Sequence, residues 1–182
     1  TNGQLTSAPV FLGAANVVYR NSHATGFEIP VTKNVNDLRI NGSGIEVTLS
    51  DTVFVNNELE LSDGIISTGA NILAINNSDA LALVGGNSSS FVNGQLQRSI
   101  SSNSDHYSFP IGKGTTSADY LPMLLMNDNL VTTTSLNASV NSITESGNNI
   151  DNQLTATETG GNRYLNVVEE AIWSIQPNSE PT

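Results

Sequence analysis

The chain has 182 residues, of which 37% are hydrophobic and 13% charged, with a net charge of −11 and no cysteine. Its six Lys and Arg residues stand singly, so no basic stripe forms for a nucleic acid or an anionic membrane surface. The missing cysteines exclude disulfides, thiolate metal sites and cysteine nucleophiles, and they leave secretion open.

Asn, Ser, Thr and Gly fill the space between apolar runs. Their side chains compete for backbone hydrogen bonds, which favours turns and strands over helix. No run reaches the roughly 18 apolar residues of a membrane span. No signal peptide is visible and Thr1 is not a natural start, so the sequence reads as a mature product or a piece of a longer chain.

Residues 1–34 read as a lead-in and cap. Asn16-Val17-Val18-Tyr19 is a predicted strand, and Thr25-Gly26-Phe27-Glu28-Ile29-Pro30 a turn leading into an extended segment. Residues 35–104 carry a coarse repeat of short apolar runs, from Leu38-Arg39-Ile40 to Leu81-Ala82-Leu83-Val84, punctuated by Asn, Gly and Asp. Leu38, Leu59 and Leu81 are 21 and 22 residues apart, as are Ile40, Leu61 and Leu83. That period fits the coil of a parallel β-solenoid, in which stacked coils share one core. It predicts Leu38, Leu59 and Leu81 in one column and Ile40, Leu61 and Leu83 in a second. The competing architecture is an antiparallel sandwich, which also spaces short strands regularly. A leucine-rich repeat is disfavoured, because neither an Asn ladder nor a helical segment accompanies the leucines.

After a polar boundary near Ser101–Asp105, residues 105–182 read as an antiparallel β-module continuing into a longer parent chain. Its predicted runs are Leu121–Met126, Leu136–Val140, Gln153–Ala156, Tyr164–Val168 and Ala171–Ile175. The fold class is therefore all-β, a short parallel solenoid followed by an antiparallel, sandwich-like half.

The stretch Ser108–Pro122, SFPIGKGTTSADYLP, tests for a phosphate cradle. Lys113 follows directly on Gly112, and no helix start comes after Thr116, so the P-loop pattern fails. A structural corner fits better: Phe109, Pro110, Ile111, Gly112, Tyr120 and Pro122 form it, with Phe109, Ile111 and Tyr120 buried, Lys113 exposed and glycines in positive φ. His106 reads as a loop residue, a Ser-His-Asp triad has no further support, no Gly-x-Ser-x-Gly elbow occurs, and no metal site is built on His23 and His106, which stand far apart in the sequence. The carboxylates Asp37, Glu46, Asp51, Glu58, Glu60, Asp63 and Asp79 could line a polysaccharide-cleaving groove, but the plainer reading is a cross-coil ion pair of Arg39 with Glu60. The loops around Asp128 and Asp151 lack a calcium-loop spacing. No catalytic, metal or cofactor residue is assigned. Asn-x-Ser/Thr sequons at Asn41, Asn76, Asn87 and Asn137 are the chance matches of an Asn-rich chain.

Phe91-Val92-Asn93-Gly94-Gln95-Leu96-Gln97-Arg98, Tyr107-Ser108-Phe109-Pro110-Ile111-Gly112 and Tyr120-Leu121-Pro122 together resemble a pattern in large secreted and cell-surface proteins of Bacteroidota. Leu59–Asn71 is similar to a coil of those proteins, Val18-Tyr19 and Phe27–Pro30 to their lead-in, and Trp173-Ser174-Ile175 to their closing strand. The chain departs from the pattern at Gln95, where proline is usual, and at Phe27. The resemblance implies an adhesin-like or gliding-associated module, exported by the type IX secretion route, without catalytic residues. It also makes Thr52, in Asp51-Thr52-Val53, a candidate for O-glycosylation.

The expected function is a non-catalytic extracellular structural or adhesive module of a bacterial surface protein. The alternatives are a subunit of a self-assembling filament and a carbohydrate-binding or polysaccharide-cleaving solenoid. Expected partners are neighbouring domains, copies of itself or surface glycans, with Trp173 at the association surface and neither nucleic acid nor membrane insertion involved.

Overall fold

A computed structural model describes residues 5–101, 105–127, 133–141 and 171–179. The chain is almost all β, a parallel β-solenoid of about four turns with a separate antiparallel sheet beside it. The strands are β1 (Asn16–Tyr19), β2 (His23–Ala24), β3 (Asn34–Thr48), β4 (Val53–Ile75), β5 (Leu83–Gly85), β6 (Val92–Ser99), β7 (Asp105–Phe109), β8 (Ile111–Gly112), β9 (Met123–Asn127), β10 (Ser135–Asn141) and β11 (Ile172–Pro177). The runs expected at Gln153–Ala156 and Tyr164–Val168, and the loops around Asp128 and Asp151, lie outside the described residues.

Three ladders of parallel pairs build the solenoid. In the first, Val17 pairs with Leu38, Leu38 with Leu59, and Leu59 with Leu83. In the second, Val47, Ile66, Val92 and Ile111 follow one another. In the third, Val35 pairs with Val55, and further along Leu73 pairs with Leu96. These side chains are buried and form one core cluster. Apolar residues recurring on alternate positions are what lets each coil bury one face and stack on the next. The lead-in thus supplies a coil of its own, β1 and β2 both pairing in parallel with β3. The corner after Phe109 supplies another rung, β8 lying parallel to β6.

The expected columns hold for the first two coils and slip in the third. Leu83, not Leu81, stacks on Leu59, and Gly85 stands opposite Leu61. Leu81 is 78% exposed and Leu83 8%. The cause is a longer corner. Asp79 accepts a hydrogen bond from the Leu81 amide at 2.8 Å and starts a 3₁₀ turn over Ala80–Ala82. That turn uses up two residues before the strand resumes.

No continuous Asn ladder runs beside the leucines, but polar side chains pair across neighbouring coils outside the core. Asn36 donates to Asn16, Asn57 to Asp37 and Asn76 to Asn56, each across 20 residues. Stacked coils bring equivalent polar groups together at a spacing where an amide can donate to the coil before it.

The solenoid sheet runs on into the C-terminal half. β10 adds to β6 antiparallel and β11 adds to β10, so the backbone path reads β1-β3-β4-β6-β10-β11. β7 and β9 form the separate antiparallel pair. Arg98 joins the two sheets. It occupies a core position on β6 with no exposed surface, and its guanidinium donates to the Ser108, Asp79 and Ala80 carbonyls while lying 5.1 Å from the centre of the Tyr107 ring. Burial pushes its pKa down, but three carbonyls and an aromatic face let the charge stay in the core.

Candidate functional site

Around the corner, Phe109, Pro110, Ile111 and Gly112 are buried, while Pro122 is exposed. Tyr120 is half-buried rather than buried, its ring tilted against Phe91 at 5.5 Å, and Lys113 is half-buried rather than exposed. The corner glycines also act differently from expectation. Neither Gly112 nor Gly114 has positive φ. Gly112 is needed for space, because a Cβ there would run into the Phe91 ring and the Asp119 carbonyl. The loop is braced by Asp119, which accepts from the Thr116 amide and hydroxyl at 2.9 and 2.7 Å. These contacts make a packed corner.

The carboxylates considered for a groove do not converge. Among the described residues, no group of three or more His, Asp or Glu side chains comes together. Arg39 and Glu60 are register partners and form an ion pair at 2.9 Å. Asp51 instead meets Lys33 at 3.1 Å on the surface. Thr52 is half-buried, and its hydroxyl accepts the Ile72 amide at 3.3 Å. His106, expected in a loop, instead lies exposed on strand β7, paired with Met126 of β9. Trp173 lies on the outer strand β11, 37% exposed, with its indole N–H donating to the Leu121 carbonyl at 3.2 Å.

A cluster that the sequence did not single out lies at the other end of the sheet. β1 alternates inward and outward side chains, which turns Tyr19 inward at the strand's end. The chain then bends back through a turn closed by the Ile29 amide on the Gly26 carbonyl at 3.1 Å, with Ile29 and Pro30 buried. Glu28 is thereby carried back to β1. The Tyr19 hydroxyl donates to Glu28 Oε1 at 2.6 Å, and the Gly26 amide donates to the same oxygen at 2.8 Å. His23 Nε2 lies 3.6 Å from it, and the His23 ring stacks on Tyr19 at 6.0 Å between centres.

Electrostatics follow from that geometry. Burial works to raise the Glu28 pKa, but the hydrogen bonds from Tyr19 and the backbone, with His23 nearby, outweigh it and hold the carboxyl below its ordinary value. Burial, then the hydrogen bond to Glu28 and its charge, push the Tyr19 phenol well above its ordinary value. Glu28 is therefore an anchored carboxylate near neutral pH. It borders a cleft of about 540 Å³ that runs beside β1 and is walled on the far side by Leu5, Pro9 and Phe11. The sequence signal for this cluster was weak: nine residues separate Tyr19 from Glu28, and only the fold closes that distance.

A smaller cleft of about 290 Å³ lies where β10 and β11 meet the Gly69 and Gly94 corners. Its lining is neutral, with Asn137 donating to Gln95 Oε1 at 2.9 Å and the buried Asn137 Oδ1 left without a partner. Among the described residues no helix is long and apolar enough to cross a membrane. Compared with family models, curated proteins and solved structures, the chain matches none.

Proposed function

We propose that the chain is a non-catalytic structural and adhesive module of a bacterial surface protein, working outside the cell as a stiff spacer and display element. The observation that carries this reading is the continuous backbone path of one sheet from β1 through the coils to β11. Such a sheet transmits load through hydrogen bonds in every coil. Arg98 ties the second sheet to it. The acidic, weakly charged surface suits contact with solvent and neutral polymers rather than with polyanions.

A second reading is a subunit of an extracellular filament. It is favoured by exposed apolar side chains on an outer strand, Ile172, Trp173 and Ile175. The experiment for both is labelling of intact, unpermeabilised source cells with an antibody raised against the chain, followed by sedimentation of the purified chain across concentrations. Surface labelling with a monomer favours the display module, and labelling with growing assemblies favours the filament. An antigen reached only after permeabilisation overturns both.

A further inference from the structure

We infer that the cleft beside β1 is a binding site for a neutral saccharide, held by Glu28 and packed against His23 and Phe11. The inference deepens the display reading by giving the module a ligand, and its adhesive side rests on that reading.

The cleft is a built site. Glu28 is fixed by hydrogen bonds from the Tyr19 hydroxyl and the Gly26 amide to Oε1, with its own backbone amide also on the carboxylate. A carboxylate offers several lone pairs, so Glu28, which lines the cleft, keeps capacity to accept from an incoming hydroxyl. A hydroxyl donating to a carboxylate makes a charge-assisted bond, roughly twice as strong as a neutral one. His23 and Phe11 line the same cleft and keep part of their surface open. Their rings offer apolar faces to the C–H side of a sugar ring. The cleft volume, about 540 Å³, lies within the range of small-molecule sites.

The lining decides the charge of the ligand. Arg20 and Glu28 border one cleft with opposite signs. An anionic ligand meets Glu28, and an organic cation meets Arg20. The Tyr19 ring is buried under His23, so a cation gains little from its face. A neutral, hydroxyl-rich ligand uses both signs, donating to Glu28 and accepting from Arg20 and the Asn16 and Asn21 amides, which also line the cleft.

The test titrates the full chain, followed by amide NMR shifts, with maltotriose, cellotriose, laminaritriose and chitotriose as neutral probes. A hyaluronan tetrasaccharide serves as the acidic probe and spermidine as the basic one. At least one neutral trisaccharide is expected to move the amides of Asn16 to His23 and of Gly26 to Glu28, and Glu28→Gln to weaken it at least tenfold. Gln keeps an oxygen for the Tyr19 hydroxyl, so the turn should hold. Should its melting temperature fall, His23→Ala gives the same reading from the ring side. Asn137→Ala, in the smaller cleft, should change nothing. Preference for the acidic or basic probe overturns the inference, as do shifts centred on Gln95 and Asn137, unchanged affinity in both Glu28→Gln and His23→Ala, or no response to any neutral probe. Failure here leaves the cell-surface and sedimentation results standing, so the ligand and the module can fail separately.

Discussion

Phe109 has no exposed surface, and the Arg98 guanidinium lies 6.0 Å from the centre of its ring. Truncating it removes a large buried side chain and uncovers part of a buried cation, so Phe109→Ala should cost about 3–5 kcal/mol in denaturant unfolding. Lys113→Ala, four residues on, should cost clearly less than Phe109→Ala, because Lys113 is only half-buried. The reverse order would mean that the corner is built around the lysine. At the opposite end of the sheet, Glu28 gives a pH signature. Its folded pKa is lowered, so the folded state releases this proton more readily than the unfolded one. The stability it contributes is fully present above the ordinary glutamate value of about 4.3 and is lost as pH falls through the lower folded value. The stability gap between the native chain and Glu28→Gln should therefore narrow on acidification from neutral pH. A gap that widens towards acid would show that Glu28 is held in its protonated form. Phe109 and Arg98 differ in how readable they were in the sequence. Phe109 announced itself as an aromatic beside proline and glycine. Arg98 did not, because a cation on an alternating strand reads as outward, and the carbonyls that take it inward lie 18 and 19 residues back and 10 ahead.

The coil is the element whose sequence period carries the fold. Leu38 and Leu59 are true register partners, although the pairing of β3 with β4 shifts on both sides of them, between Val35 and Asp37 and between Ile40 and Glu46. Both columns failed in the third coil because spacing counts residues and cannot see a corner that coils them into a 3₁₀ turn. The one local clue was Asn77-Ser78-Asp79, a cluster of turn formers. Asp79 accepts the Leu81 amide, and the Tyr107 hydroxyl donates to the Ser78 carbonyl at 2.8 Å, so the insertion is held from both sides. The register can be checked with two leucines. Leu83→Ala should destabilise by about 2–5 kcal/mol, the cost of a cavity in the core, whereas Leu81→Ala should stay within about 0.5 kcal/mol. Equal costs would return Leu81 to the column. The cross-coil pairs of Asn side chains were hidden for a related reason. Their members recur at 20 residues, but in a chain this rich in Asn the repeat does not stand out from the background.

At the scale of the whole molecule, the sheet has two ends of different kinds. β1 is joined to its neighbour in parallel and β11 in antiparallel fashion, and among the described residues no strand pairs with the outer edge of either. An unpaired edge presents amides and carbonyls that another strand can take up. On β11, Trp173 and Ile175 share the face that continues the buried row of Val140 and Ala138, yet they are 37% and 48% exposed. The core face of the sheet therefore runs past the point where anything described covers it. Copies that join the β1 edge of one to the β11 edge of the next do so head to tail, and such contacts propagate unless a ring closes. The purified chain should accordingly associate weakly, with a sedimentation coefficient that rises with concentration as mass action requires. Trp173→Glu places a charge on the open face while costing the fold little, since the indole is partly solvated and makes one hydrogen bond, to Leu121. It should reduce association more than it lowers the melting temperature. Val18→Lys, on the half-exposed outer face of β1, should act the same way from the other end, since lysine on an edge strand discourages pairing. If Trp173→Glu unfolds the chain, or if the native chain stays monomeric at every concentration, the β11 face belongs to a closed core and the two ends do not meet. If only one of the two variants weakens association, the contact is between like edges, and the assembly closes as a symmetric dimer instead of growing.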